Sequence, residues 1–286
     1  KEKKQHMEIF RTKEDVRAAA AGWRRAGERV TLVPTMGYLH AGHMSLVDAA
    51  RRQADRVVVS IYVNPTQFGP QEDLDKYPRD FARDEASCRE HGVDAVFYPD
   101  NDVMYAADHS TWVVEESLSQ TMCGVSRPTH FRGVTTVVLK LFNIVGCDVA
   151  VFGRKDAQQA LIIGRMVRDL NVPVEIVVAP LVREADGLAM SSRNKYLSVD
   201  ERRRALSISA GLRAAATSFD GGERSAAVLT AMVRDAIDAA GGRIDYVVLM
   251  ARDTLRPLAV VDRPAVLAAA AFFGQTRLID NVFLDP

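Results

Sequence analysis

Five short apolar runs, each followed by enough chain for a helix, limit what this sequence can fold into. The first is Arg29-Val30-Thr31-Leu32-Val33-Pro34, after which a helical pattern begins near His43 and runs to about Gln53. The second, Arg56 to Val63, reads RVVVSIYV, so continuously β-branched and apolar that both of its faces must be covered. Asp94 to Tyr98, Asp148 to Phe152 and Val174 to Val178 repeat the theme, with helix-like stretches at 79–91 and 134–145 between them. Alternation of this kind predicts an α/β protein with a doubly wound parallel sheet, whose ligands sit beyond the carboxyl ends of the strands. After Pro180 the character changes to a polar stretch at 183–195, Ala-rich helical segments and strand-like runs at 245–250, 265–273 and 276–283. Two domains follow, 1–181 and a smaller α+β unit at 182–286.

Lys plus Arg and Asp plus Glu both total 37, so no global field favours nucleic acid or an anionic membrane, and a small-molecule site is expected. Hydrophobic residues at 48% are enough for packed cores. Cys88, Cys123 and Cys147 contain no CxxC pair, which argues against a disulfide framework or a zinc site and fits a reducing cytoplasm. No apolar run approaches the roughly 20 residues of a spanning helix, and no apolar leader core opens the chain, so a soluble, unexported protein is expected. The polar stretch Lys1 to His6 precedes Met7 and reads as an appended remnant or a frayed extension.

The chemistry-bearing stretches fall after the strands. In PTMGYLHAGH, His40 and His43 are three apart, a spacing that puts both imidazoles on one face of a helix start, where backbone N–H groups attract phosphate. A His pair that merely caps a helix is the bland alternative, made weaker by the strand directly before it. In IYVNPTQF, Asn64 and Gln67 offer neutral amides for a small polar acid, against the alternative of an ordinary Asn-Pro turn. FGRKDAQQ offers Lys155 as a phosphate point charge, with Asp156 and Gln159 one helical turn apart and Arg154 turned toward solvent. In VREADGLAMSSRN, Ser191, Ser192 and Arg193 combine two hydroxyls with a guanidinium, suited to triphosphate oxygens or to a capped polar loop. Asp84 in YPRDFARD reads as a surface helical residue that is also able to hold Mg²⁺ through water. No Walker-type phosphate loop is present and no GxGxxG follows a first strand, so those enzyme classes lose support.

Together these stretches resemble the pantothenate synthetases, members of the nucleotidylyltransferase superfamily whose His-x-Gly-His motif is like that of class I aminoacyl-tRNA synthetases. The resemblance runs from PTMGYLHAGHMSLV through VNPTQFGPQEDLDKYPRD, SRPTHFRGVTTVVLKLFNIV, FGRKDAQQ and VREADGLAMSSRNKYLS to TRLIDNVFLDP. It implies a Rossmann-like first domain, a smaller second domain closing over ATP, a homodimer, and the substrates pantoate, β-alanine and ATP with Mg²⁺. It implies an ATP site of Met36, Gly37, Tyr38, Leu39, His40, Ala41, Gly42, His43, Gly153, Arg154, Lys155, Asp156, Val182, Met190, Ser191, Ser192 and Arg193. Within it His43, His40, Lys155 and Arg193 would act on the phosphates. Gln67 and Gln159 would hold pantoate, Gln67 also lying near β-alanine, and Asp84 matches a carboxylate implicated in Mg²⁺ binding. The chain departs from the family at Arg154 and Ala157, where Glu and an aromatic are usual, and at Thr129, where Gly is usual. Two rivals remain. One is a nucleotidylyltransferase acting on a phosphorylated acceptor, which would call for more Arg or Lys than Gln67 and Gln159 supply. The other is a non-catalytic nucleotide-binding protein.

Overall fold

The apolar runs pair side by side as one parallel sheet. In the computed structural model, which describes residues 7–70 and 72–286, its strands are β1 (Glu8–Phe10), β2 (Val30–Thr35), β3 (Arg56–Ile61), β4 (Ala95–Phe97), β5 (Val149–Gly153) and β6 (Glu175–Ala179). Their order is β1-β4-β3-β2-β5-β6, the doubly wound arrangement that the alternation predicts. Leu32 of β2 lies opposite Val58 of β3 on one side and Ala150 of β5 on the other. Between β2 and β5 the strand order reverses, and in such sheets a crevice for ligands opens there. Val33, Val59, Val96 and Val151 are buried on one face and Leu32, Val58, Ala95 and Ala150 on the other, which is why the runs are unbroken: both faces are covered. The reading of residues 1–6 lies outside the described residues.

The helices in this half are α1 (Lys13–Arg25), α2 (Ala41–Arg51), α3 (Phe81–Glu90), α4 (Asn101–Met104), α5 (Cys123–Ser126), α6 (His130–Val145) and α7 (Ala157–Asp169). Two of them start earlier than the periodicity suggests, α2 at Ala41 rather than near His43 and α6 at His130 rather than 134. α6 ends on Gly146 at φ 64°, the left-handed cap that leaves its N–H free to reach the Phe142 carbonyl at 2.7 Å. β1 and α1 have no counterpart in the sequence reading. Three residues are too few to show a period of two, and β1 is a strand only because Ile9 pairs with Val96.

Contacts divide the described chain into two compact units, 7–119 with 127–154 and 158–180, and 120–126 with 155–157 and 181–286. The second holds an antiparallel sheet of β7 (Arg243–Ala251), β8 (Ala265–Phe273) and β9 (Thr276–Leu284), packed with α8 (Val199–Asp220) and α9 (Ala226–Ala239). Ser198 and Glu201 form a capping box that starts α8. β8 reads AVLAAAAFF, a run of helix-favouring alanines that is a strand because β7 and β9 flank it and almost every residue is buried. A bulge between Ile244 and Tyr246 leaves Asp245 to bind Arg277 at 2.6 Å and Ser126 at 3.0 Å. With the Cys123 sulfur 3.3 Å from the Tyr246 hydroxyl, this explains why 120–126 belongs to the second unit. All three cysteines are buried and unbridged, and burial pushes the Cys88 and Cys147 thiols up to about 12.

Candidate active site

The turn that leaves β2 is set by its own polar atoms. The Thr35 hydroxyl donates to the Ser60 carbonyl at 2.7 Å and accepts the Gly37 N–H at 3.2 Å. Gly37 then takes φ 80°, and a Cβ there would lie 2.9 Å from Ile61 and 3.0 Å from the Asp84 carboxylate, so only glycine fits. Tyr38 follows at φ 50°. His40 caps α2 in extended conformation, which puts His43 in the first helical turn, the two ring centroids 4.0 Å apart. The His40 N–H donates to Nδ1 of His43 at 3.3 Å. A neutral His43 whose Nδ1 accepts must carry its proton on Nε2, so the ring presents a donor at a helix N-terminus, where anions are favoured.

The loop leaving β3 is held by amides. Asn64, 1% exposed, donates through Nδ2 to Gln67 Oε1 and to the Gly133 carbonyl, each at 3.2 Å. Its Oδ1 accepts the Thr66 hydroxyl at 2.9 Å and the Tyr105 hydroxyl at 3.1 Å. With Oε1 turned to Asn64, Gln67 points its Nε2 donor the other way, now 3.1 Å from the Met36 sulfur. The Gln67 carbonyl accepts His130 Nδ1 at 2.9 Å and Arg127 at 3.3 Å, and Arg127 grips Glu72 through two contacts of 2.6 Å. Burial works to raise the Glu72 carboxyl, but the Arg127 hydrogen bond and charge outweigh it and hold Glu72 below the usual carboxylate range. Gly133 allows the close approach of α6: a Cβ there would lie 2.5 Å from the Thr66 carbonyl.

Gln158 and Gln159 open the first turn of α7. Gln158 is buried with its amide on the Leu118 carbonyl at 2.9 Å, and Gln159 is half-buried. Gly153 ends β5, and Arg154 to Asp156 form a single tight turn before α7. Arg154 is half-buried. Ala157 is buried where an aromatic was expected, and Thr129 is exposed in helical conformation at φ −97°, so nothing in its backbone requires glycine. In the second unit Lys155 pairs with Asp156 at 3.5 Å, and its carbonyl accepts Asn281 at 3.0 Å. A turn through Gly187 folds 182–190 back on itself, bringing Met190 N–H to the Val182 carbonyl at 3.1 Å. Ser191 caps the next turn by accepting the Arg193 N–H at 3.3 Å, so Val182 and Met190 to Arg193 lie along one loop.

Asp84 is not a surface residue: it is 1% exposed, and each of its oxygens already accepts a backbone N–H. That donor set does not fit a cation that needs several waters around it. Among the described residues no three His, Cys, Asp or Glu side chains gather as a metal site, and no helix is long and apolar enough to cross a membrane. The bracing residues Glu72, Tyr105, Arg127, His130 and Gly133 carried no role in the sequence reading. An Arg, a His and a Gly crowded at the start of one helix is the signal that points to three of them.

The description Pantoate-beta-alanine ligase belongs to the family model that matches residues 8–283. The pantothenate synthetase of Moorella thermoacetica is 54% identical over 280 residues, covering 98% of this chain and 99% of that protein. That of Thermotoga neapolitana is 50% identical over 279 residues, covering 97% and 100%. Among solved structures, pantothenate synthetase from Thermus thermophilus superposes with a TM-score of 0.92 at 44% identity, covering 98% of this chain and 100% of the other. Pantoate-beta-alanine ligase from Francisella tularensis, complexed with beta-gamma ATP and β-alanine, gives a TM-score of 0.81 at 31% identity, with 97% of each chain covered.

Proposed function

We propose that this member of the pantoate-beta-alanine ligase family joins pantoate to β-alanine with ATP through a pantoyl-adenylate, its own residues dividing that work as follows. A pantoate carboxylate oxygen attacks the ATP α-phosphorus, and the bond to the β-phosphate oxygen breaks, releasing pyrophosphate. His43 donates through Nε2–H to the phosphates, with His40 beside it and the α2 N–H groups adding positive potential. Met36 to Gly42 cradle the nucleotide together with Gly153, Arg154 and Asp156. Lys155 and Arg193 supply charge as pyrophosphate leaves, and Val182, Met190, Ser191 and Ser192 contact ATP. In the second step the neutral amine of β-alanine attacks the anhydride carbonyl, AMP departs, and the nitrogen loses a proton. Gln67 and Gln159 orient pantoate, and Gln67 faces the incoming amine. Mg²⁺ is expected to arrive on the triphosphate, supplying charge neutralisation there. By resemblance the protein is a homodimer, and its unbridged thiols fit the cytoplasm.

The observation that carries this reading is the Gln67 network. Gln67 presents a neutral amide beside the Met36 sulfur, and the Arg127 guanidinium on its carbonyl is paired with Glu72, whereas a phosphorylated acceptor would call for cations aimed at it. ATP–pyrophosphate exchange tests it. Exchange that requires pantoate is expected; exchange without it, or only with a phosphorylated acceptor, would transfer the protein to the nucleotidylyltransferase class.

A further inference from the structure

Asp84 sits in the first turn of α3, where a carboxylate ordinarily serves its own helix. Asp80 already caps that helix through the Arg83 N–H at 3.2 Å. The Asp84 side chain instead reaches 46 residues back along the chain: Oδ2 accepts the Tyr38 N–H at 2.7 Å and Oδ1 accepts the Leu39 N–H at 2.6 Å. These amides belong to a turn with two consecutive left-handed residues, Gly37 at φ 80° and Tyr38 at φ 50°. A tyrosine in that region is strained and persists only where its surroundings over-determine it. Arg83, the neighbour of Asp84, adds a second tie, its guanidinium 4.9 Å from the centre of the Tyr38 ring. One residue past the clamped amides stands His40, whose own N–H sets the tautomer of His43.

From this arrangement we infer that Asp84 is the positioning residue of the histidine turn and not a metal ligand, an assignment that rests on the reading of His43 as the phosphate donor. A Mg²⁺ ion needs near-octahedral oxygen ligands and keeps most of its waters. The Asp84 oxygens each already accept a backbone amide, the Ile61 methyl lies against the same turn, and the residue is only 1% exposed, a setting unlike that of a carboxylate turned toward a hydrated ion. Asp84 does border an open cleft of about 440 Å³ together with Asp75, Asp80 and Asp100, so an ion drawn into that cleft is the competing outcome.

The experiment compares the full-length wild type with Asp84→Asn. In the absence of nucleotide and metal, amide hydrogen exchange at Tyr38 and Leu39 is expected to accelerate at least tenfold, because asparagine can accept only one of the two N–H groups. The turnover of pantoate-dependent ATP–pyrophosphate exchange is expected to fall about a hundredfold, as when an oriented donor is lost. The pantoate KM and the Mg²⁺ concentration for half-activation should each stay within twofold. Turnover restored at high Mg²⁺, weaker Mn²⁺ binding by electron paramagnetic resonance, or unchanged amide exchange would overturn the assignment. Should Asp84→Asn fail to fold, Arg83→Leu carries the test: it removes only the ring tie and should lower turnover about threefold at unchanged pantoate KM, and no change there would count against the proposal. The amide readout stands even if wild-type exchange proves independent of pantoate, so failure of the functional reading remains distinguishable.

Discussion

The turns that leave β2 and β3 start from neighbouring strand ends, yet they are held by different forces. After β2 the backbone itself is forced into a left-handed path, and a buried carboxylate secures it through two amides. After β3 the backbone is ordinary and side-chain amides do the holding, with Asn64 passing one hydrogen bond to Gln67 and another to Gly133. The difference follows the ligands proposed for each. Phosphate is met by N–H groups and an imidazole, so the main chain must be aimed. A hydroxy acid is met by one neutral amide, so its flip state and height must be set.

That contrast breaks most visibly at His43. His43→Ala removes a half-buried ring and no core volume, so folding should be unchanged, while adenylate formation should drop about 10²–10³-fold. Near-normal exchange in this variant would mean that the β2 turn does not serve phosphate. Gly133→Ala attacks the other turn, since a Cβ placed 2.5 Å from the Thr66 carbonyl must push the Gln67 loop away. Overpacking of this kind costs about 1–3 kcal/mol. It should appear as lowered thermal stability and a raised pantoate KM, with ATP affinity nearly unaltered. Gln67→Ala deletes one uncharged partner and should weaken pantoate by about 1–3 kcal/mol, far more than ATP, as calorimetry can measure.

A smaller effect concerns the Glu72–Arg127 pair behind Gln67. Because the folded-state carboxyl is held below its ordinary value, the support it lends is present at and above the usual carboxylate range and is lost as pH falls through the folded value. Pantoate affinity should therefore stay level between about pH 6 and 8 and weaken only below about pH 4. Glu72→Gln should be several-fold weaker at neutral pH and lack that acid limb. An unaltered acid limb would assign it to another group. Arg154→Glu should do least if the guanidinium lies at the rim of the nucleotide site with its charge toward solvent: the reversal is then expected to weaken ATP by no more than about tenfold, or 1.4 kcal/mol, and less at high salt. A larger effect would add a third held element to the two turns.

The parts legible in the sequence are those in which one stretch of chain carries its own signature. The run RVVVSIYV announces a strand covered on both faces, and PTMGYLHAGH announces a turn and a helix start. Gly37 was legible as a place of close approach, although what approaches it, Ile61 and Asp84, was not. The run 265–273 also reads as a strand, although its alanines alone favour a helix and the pairing with β7 and β9 is what holds it extended. The bracing of Gln67 was not readable, because Glu72, Tyr105, Arg127 and Gly133 each belong to a different local pattern.

By itself, the sequence determined the α/β class, the strand runs, the order of the motifs and the family, because apolar periodicity and turn chemistry are properties of consecutive residues. Only the tertiary structure decided that Glu8–Phe10 is an edge strand, that 120–126 packs with the second unit, and that Asp84 turns inward rather than out. Each of those depends on a partner distant in the chain: Val96 for Ile9, Tyr246 for Cys123, and the amides of Tyr38 and Leu39 for Asp84. A first-turn helical aspartate looks the same in sequence whether it faces water or two backbone donors, and burial without those donors would leave its charge unmatched.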